Sequence, residues 1–266
     1  MKNSGIPGFA MSGSLRAVWR GLLCCGMAGF ALGAAAADKL VFCAEDRDIR
    51  PWITRDGRGL NFELLNRVAR QAGLRFEYRQ TSWKRCLEDL KQNSVDGAFG
   101  ASFKAERLEF GAYPGGERAD PRKRLNMDRY VLVRPKGARV DWDGKRLSGL
   151  KGPVGVQLGY SIADHLRSMG VAVDEGSPGA AELLRKLLAG HVEAVAMLDG
   201  EARSLLAEDL RYAALLEIVA QPLVEKPYYL LLSHRFLAAR PELAEAIWQG
   251  IEQVRESRDY QALEKQ

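Results

Sequence analysis

Two stretches of the chain repeat the same alternation of short apolar strands and amphipathic helices, and this pattern constrains the fold more than any other feature. The first runs from Leu40 to Ala101 and reads as strand, helix, strand, helix, strand. The second has the same order and runs from Val154 to Met197. Strands that alternate with helices pair in parallel, and the helices cover the faces of the sheet. The sequence therefore predicts an α/β fold.

The two stretches also resemble each other in detail. Asn93-Ser94-Val95-Asp96-Gly97-Ala98 ends a helix and opens a strand, as does Gly190-His191-Val192-Glu193-Ala194-Val195. Two similar lobes are the simplest explanation. Two extended segments bounded by proline, Tyr130–Arg134 and Tyr228–Ser233, would cross between them as a hinge. We expect residues 38–132 and 227–266 to form lobe 1 and residues 133–226 to form lobe 2.

The first 37 residues have the order of a secretory signal. Lys2, Arg16 and Arg20 precede an apolar stretch, and small residues follow it up to Ala37. The apolar stretch is shorter than the roughly 20 residues needed to span a membrane. We predict cleavage after Ala37 and a periplasmic mature protein, with either Met1 or Met11 as the start.

Charge and cysteine content narrow the class further. Loss of the signal changes the net charge from +5 to 5 − 3 = +2, and no basic run has interleaved aromatic residues, which argues against nucleic acid as a partner. Two cysteines remain, Cys43 and Cys86, and an even number in a secreted protein favours a disulfide. Two buried free thiols are the alternative. No Cys/His cluster has the spacing of a metal site, and no cofactor motif is present.

Five short motifs follow one another along the chain: Gly57–Leu65, Leu90–Asp96, Ser102–Arg107, Tyr113–Pro114 and Val154–Ser161. In this order and spacing they resemble the extracellular solute-binding proteins of family 3, which are the amino-acid-binding proteins of ABC importers. Asn61, Glu63 and Asn93 depart from the family's usual residues. The resemblance covers the mature chain. It implies a two-lobed periplasmic-binding-protein fold of type II, a monomer that binds a small polar solute for an ABC permease, and no enzymatic activity.

Arg107 and Ser102 are the leading candidates for binding a carboxylate. Ligands of open α/β sheets bind beyond the carboxyl ends of the strands, where both residues lie. The planar guanidinium can bind a carboxylate with two hydrogen bonds, and the resemblance assigns the matching residues to the solute's α-carboxylate. The alternative is a surface arginine paired with Glu106 or Glu109.

Ser161 and Asp199 are the candidates from the second lobe. Ser161 precedes a predicted helix, whose N-terminus favours an anion, although it could serve only as a helix cap. The resemblance implies that Asp199 receives the solute's α-ammonium. Its alternative is a turn residue, because Asp199-Gly200 is a common turn pair.

The remaining predicted ligand-binding residues lie near other strand ends: Trp52, Trp83, Tyr160, Gly100 and Glu45. Aromatic members would stack on the solute, and Glu45 would either bind a cationic side chain or lie in a solvated loop.

The resemblance places the first two strands side by side in a parallel sheet, which implies that Cys43 and Cys86 share one sheet edge within reach of a disulfide.

Two rival functions stay open. One is a periplasmic enzyme on the same fold, such as a cyclohexadienyl dehydratase-like protein, although no nucleophile–base motif supports it. The other is a sensor that reports a solute to a membrane receptor, because its binding chemistry would be the same.

Overall fold

The computed structural model describes residues 39–265, so the predicted signal of residues 1–37 lies outside the described residues. The strands are β1 (Lys39–Glu45), β2 (Arg75–Thr81), β3 (Gly97–Ser102), β4 (Gly111–Ala112), β5 (Asn126–Pro135), β6 (Asp141–Trp142), β7 (Leu147–Ser148), β8 (Val154–Gln157), β9 (Val173–Ser177), β10 (Ala194–Leu198), β11 (Leu216–Ile218) and β12 (Val224–Ser233). The helices are α1 (Leu60–Ala72), α2 (Trp83–Lys91), α3 (Ile162–Ser168), α4 (Ala180–Leu188), α5 (Asp199–Glu208), α6 (Leu210–Leu215), α7 (His234–Ala239), α8 (Pro241–Arg255) and α9 (Arg258–Glu264). None of these helices is long and apolar enough to cross a membrane.

One large sheet organises the described chain, with the strand order β2-β1-β3-β12-β5-β10-β8-β9. β1 pairs in parallel with β2 and β3, and β8 pairs in parallel with β9 and β10. We call β1–β3 with their helices the first half, β8–β10 with α3–α5 the second half, and β5 and β12 the central strands. The two parallel sets confirm the predicted α/β class. The predicted lobe boundaries stay a prediction.

The central strands connect the halves because each changes its partner along its length. β12 pairs with β5 from Val224 to Tyr228 and with β3 from Tyr228 to Leu232. β5 in turn pairs with β10 from Tyr130 onward. Two extended segments therefore cross between the parallel sets, at the positions that the sequence predicts.

The two turns that resemble each other in sequence also correspond in structure. Asn93 and Gly190 both have left-handed backbone conformations, with φ of 56° and 73°. Three residues later, each acid accepts a backbone N–H hydrogen bond from a neighbouring segment: Asp96 from β1 at 2.8 Å and Glu193 from the residues before β8 at 2.6 Å. The acids thus fasten each turn to the adjacent chain, which explains why both turns carry one.

The predicted disulfide between Cys43 and Cys86 is present, with a Cα–Cα distance of 5.6 Å. β1 and β2 are parallel neighbours, so the first turn of α2, which follows β2, lies beside the carboxyl end of β1. Both cysteines are fully buried. The cross-link joins the strand that ends at Glu45 to the helix that begins at Trp83.

Candidate ligand-binding site

A pocket lies where the carboxyl ends of β1, β3, β8 and β10 meet the central strands. Eight of the nine predicted ligand-binding residues line it: Glu45, Trp52, Trp83, Gly100, Ser102, Arg107, Tyr160 and Ser161. The structure does not bring Asp199 to this pocket. The other lining residues, which sequence reasoning did not single out, are Ile49, Ile53, Asn61, Asn126, Asp128, Tyr130, Leu198 and Tyr228.

Arg107 lies in a short 3-10 helix just after β3 and is 2% exposed. Its guanidinium donates to the backbone oxygens of Ser102, at 2.7 Å, and Gly159, at 2.9 Å. The Trp83 ring lies 5.2 Å from the guanidinium carbon. Within residues 39–265 no carboxylate oxygen comes within 4.0 Å of Arg107, and Glu106 pairs instead with Lys104. A buried cation without an anion is costly, so this position favours an anionic ligand.

Ser102 and Ser161 meet from opposite halves of the sheet, with their hydroxyl oxygens 2.7 Å apart. Ser161 makes no capping hydrogen bond to α3. Instead, its hydroxyl and carbonyl oxygens each accept a hydrogen bond from Lys226 Nζ at 3.1 Å. Burial lowers the pKa of Lys226 to about 8. Two hydroxyls and the Arg107 guanidinium therefore lie together at the pocket, with Lys226 bound to Ser161 beside them, and this arrangement suits a carboxylate.

Glu45 lies at the end of β1 and is 3% exposed, so it is not in a solvated loop. The Tyr160 hydroxyl donates to its carboxylate at 3.4 Å, and Arg47 Nε lies 3.4 Å from the other oxygen. Burial raises the pKa of Glu45 to about 7. Trp52 and Trp83 also line the pocket. Glu45 and these aromatic rings give the pocket a face that is suited to a positively charged or flat group.

Asp199 faces away from the pocket because α5 begins at this residue, directly after β10. Its carboxylate pairs with Arg129 at 2.7 Å and with Arg203, one helical turn further on, at 2.8 Å. The preceding residue, Leu198, takes the place at the pocket wall. The second half therefore presents an apolar side chain where the sequence suggests an acid.

Several polar atoms at the pocket have no hydrogen-bond partner among the described residues. These are both amide atoms of Asn61, Oδ1 of Asn126 and the hydroxyl of Tyr228. All three residues are buried, and buried polar groups are normally satisfied by protein, water or a ligand. In the sequence Asn61 stands out only as a departure from a motif. Asn126 could have been found from strand alternation, because Asn126, Asp128 and Tyr130 lie on one face of β5.

The pocket does not have the composition of a metal centre. Across residues 39–265, no three His, Cys, Asp or Glu side chains are grouped as a metal ion would require. The lining combines one buried guanidinium, two carboxylates, hydroxyls, amides and aromatic rings. Such a mixture suits a small polar organic molecule that carries charges of both signs.

Residues 44–266 match the family model of the bacterial extracellular solute-binding proteins, family 3, and the chain belongs to this family. No curated protein matches the chain.

Solved structures confirm the fold, which is that of periplasmic binding proteins. A histidine kinase sensor domain with similarity to periplasmic binding proteins has 19% sequence identity and a TM-score of 0.68, covering 86% of this chain and 95% of its own. The substrate-binding protein of an amino acid ABC transporter has 17% identity and a TM-score of 0.63, covering 85% and 96%. The arginine-, lysine-, histidine-binding protein ArtJ from Geobacillus stearothermophilus has 17% identity and a TM-score of 0.66, covering 86% and 94%.

Proposed function

We propose that this protein is a periplasmic solute-binding protein that encloses a small, amino-acid-like solute between two lobes, residues 38–132 with 227–266 and residues 133–226. The observation that carries the proposal is Arg107, a buried guanidinium at the pocket with no carboxylate partner among the described residues. A solute carboxylate would supply the missing negative charge, with Ser102 and Ser161 adding hydroxyl donors. The structural neighbours that bind amino acids support the same class of solute.

The mechanism is closure around the solute. A carboxylate binds first to Arg107 and Ser102 of the first half, in the open cleft. The second half then approaches and brings Tyr160 and Ser161 to the solute, while the central strands absorb the rotation. The family and the neighbours described above are mainly binding proteins, so we propose binding without chemical conversion of the solute.

The proposed pathway begins with export. Residues 1–37 would direct the chain to the periplasm and be removed after Ala37. The closed, loaded monomer would then deliver its solute to an ABC permease in the inner membrane. The similarity to the substrate-binding protein of an amino acid ABC transporter supports this role.

Calorimetry on an arginine variant tests the binding site. A thermal-shift screen of amino acids, small carboxylates and polyamines first identifies solutes that stabilise the protein. For such a solute, Arg107→Ala should weaken binding by at least about 2 kcal/mol, or roughly thirtyfold, because it removes one partner of a buried charged pair.

Arg255→Ala is the matched control for this experiment. Arg255 is also buried, at 5% exposed, and also donates to two backbone oxygens, but it lies outside the pocket. Its variant should lose stability and keep its affinity within about twofold. Equal losses of affinity in the two variants would contradict the assignment of Arg107.

A sensor is the second candidate, because a histidine kinase sensor domain shares the fold. A strain that lacks the gene separates the two roles. Loss of uptake of the identified solute supports import. Normal uptake, combined with loss of the transcriptional response to that solute, supports sensing.

A further inference from the structure

The pocket holds two carboxylates, and only one of them already has a cationic partner. Glu45 faces Arg47 at 3.4 Å and accepts a hydrogen bond from Tyr160. Asp128 has no lysine or arginine nitrogen within 4.0 Å in the part of the chain that the structure describes. Its one hydrogen bond there comes from the backbone N–H of Arg129, at 2.8 Å. A partly buried carboxylate without a cation favours a positively charged ligand group.

Strand alternation explains why Asp128 reaches the pocket while the neighbouring arginine does not. Asn126, Asp128 and Tyr130 are alternate residues of β5, and all three line the pocket. Arg129 does not line this pocket, and its guanidinium donates two hydrogen bonds to Asp199, at 2.7 and 2.9 Å. The nearest arginine in sequence is therefore already paired with another acid.

The other charges around Asp128 do not neutralise it. Lys226 lies opposite Asp128 in the β5–β12 register, but its ammonium donates to Ser161. Burial raises the pKa of Asp128 to about 7. The backbone N–H and the positive charge of Arg129 lower this pKa by less than burial raises it, and the carboxylates of Asp199 and Glu225 raise it further. An additional positive charge in the pocket would relieve this unfavourable environment.

We infer that Asp128 binds a protonated amine of the solute while Arg107 binds its carboxylate, so that the protein selects solutes that carry both groups. This inference rests on the proposed function. It moves the amine-binding role from Asp199 at the end of β10 to a residue of a central strand. Asp199 forms ion pairs with Arg129 and Arg203, whereas Asp128 lines the same pocket as Arg107.

Two isosteric variants, Asp128→Asn and Asp199→Asn, test this inference against matched probes. The probes are the twenty common L-amino acids and, for each, the carboxylic acid that lacks the α-amine, such as glutarate for L-glutamate. Wild-type protein should bind at least one amino acid far more tightly than its amine-free partner. Asp128→Asn should weaken that amino acid at least tenfold and change the amine-free acid less than threefold. Asp199→Asn should change both less than threefold.

Each remaining outcome of this experiment overturns the inference. For the variants, these outcomes are an equal loss of affinity for both probes in Asp128→Asn, or a loss of affinity for the amino acid alone in Asp199→Asn. For the wild type, they are equal affinities for the two paired probes, or no binding of any amino acid. If amine-free acids bind and Arg107→Ala abolishes that binding, the proposed function survives while the role of Asp128 fails. If no probe binding depends on Arg107, the proposed function fails as well.

A pH titration of the wild-type protein keeps the inference testable if Asp128→Asn does not fold. Ionisation of Asp128 near pH 7 adds a negative charge that attracts an amine and repels a carboxylate. From pH 6 to 8, affinity for the amino acid should therefore rise, and affinity for its amine-free partner should fall. The charged groups around Asp128 are Arg129, Asp199, Glu201, Glu225 and Lys226. Glu45 of the same pocket also has a pKa of about 7, so the profiles are repeated with Glu45→Gln, in which the opposite trends for the two probes should persist. Parallel pH profiles for the two probes would overturn the inference.

Discussion

The two halves of the sheet contribute unequally to the pocket. The first half supplies most of the lining, including the charged and aromatic groups Glu45, Trp52, Trp83, Ser102 and Arg107. The second half supplies only Tyr160, Ser161 and Leu198. The first half also contains the disulfide. We therefore expect the recognition groups to lie mainly in the cross-linked half and the central strands, and the second half mainly to cover the solute.

Two glycines show how the second half fits against the first. A Cβ atom at Gly200 would lie 2.0 Å from the backbone oxygen of Arg50, and one at Gly179 would lie 2.4 Å from Nη1 of Arg47. Both glycines stand at the beginnings of helices in the second half, and both arginines follow β1 in the first half. At Gly200 the neighbouring atoms belong to the backbone, so this close approach requires glycine, whereas at Gly179 the flexible side chain of Arg47 could move aside.

Removal of the disulfide should have the largest effect, because it loosens the half that carries the recognition groups. The loop between Cys43 and Cys86 spans 43 residues. Loss of the disulfide in the double variant Cys43→Ala/Cys86→Ala should lower the free energy of unfolding by about 3–4 kcal/mol. For a domain of this size, the melting temperature Tm should fall by roughly 6–16 °C. Denaturant unfolding measures the change.

Wild-type protein treated with a reductant is the control for the double variant and should show a similar loss. If the reduced protein keeps the stability of the oxidised one, the disulfide does not fasten the first half. In that case the contrast between a cross-linked half and a covering half loses its physical basis.

The same contrast explains what the sequence could predict. Regular elements follow from periodicity and turn residues, so the second alternating stretch begins with β8 at Val154, as the sequence predicts. In the first half, Ser102 ends β3 and Arg107 follows in a short 3-10 helix, so both lie at the carboxyl end of a strand, where the motif predicts a site. At the end of β10 a helix begins at once, and a rotation of one residue decides whether Leu198 or Asp199 meets the pocket.

Rules based on the carboxyl ends of strands also miss residues that lie within a strand, near its beginning. Asn126 and Asp128 belong to β5, which the sequence indicates only as a crossing segment from Tyr130 onward. Their side chains reach the pocket because β5 runs through the centre of the sheet, beside β12. This long-range arrangement depends on the strand order, which periodicity alone does not determine.

Gly200→Ala tests whether the second half acts by covering the pocket. The added methyl would lie 2.0 Å from the backbone oxygen of Arg50, so either the helix or the loop must shift. Overpacking of this kind costs about 1–3 kcal/mol. If that cost falls on the closed form alone, the apparent Kd should rise about 5- to 150-fold with little change in the stability of the unliganded protein.

Gly152→Ala is the control for this substitution. Gly152 precedes β8 in sequence, and the nearest atom to its added Cβ lies at 3.4 Å, within ordinary contact distance. Calorimetry should therefore show wild-type affinity for this variant. Unchanged affinity in Gly200→Ala as well would mean that solute binding does not require the observed contact between the halves.

Glu201→Gln should have the smallest effect, and this effect is on the free energy of unfolding. Glu201 is an acid of the second half that lies outside the pocket. Glu201 is 3% exposed. One carboxylate oxygen accepts a hydrogen bond from Gln157 at 3.2 Å, and the other has no partner among the described residues. Burial, with the nearby Glu45 carboxylate, raises the pKa of Glu201 to about 8.

The sign of the pH effect follows from proton binding. Between the ordinary pKa of a glutamate, 4.5, and about 8, the folded protein keeps a proton on Glu201 that the unfolded chain releases. The free energy of unfolding therefore falls as the pH rises through this range.

Glutamine removes the titration but still leaves one buried polar atom unsatisfied. We expect a partial gain at pH 8, on the order of 1 kcal/mol or 2–4 °C in Tm, which shrinks toward pH 4. Thermal unfolding of Glu201→Gln across this range measures the gain, with Glu208→Gln, exposed on the same helix, as the control. A gain that is equal at pH 4 and pH 8 would show that Glu201 affects stability through packing rather than through its charge.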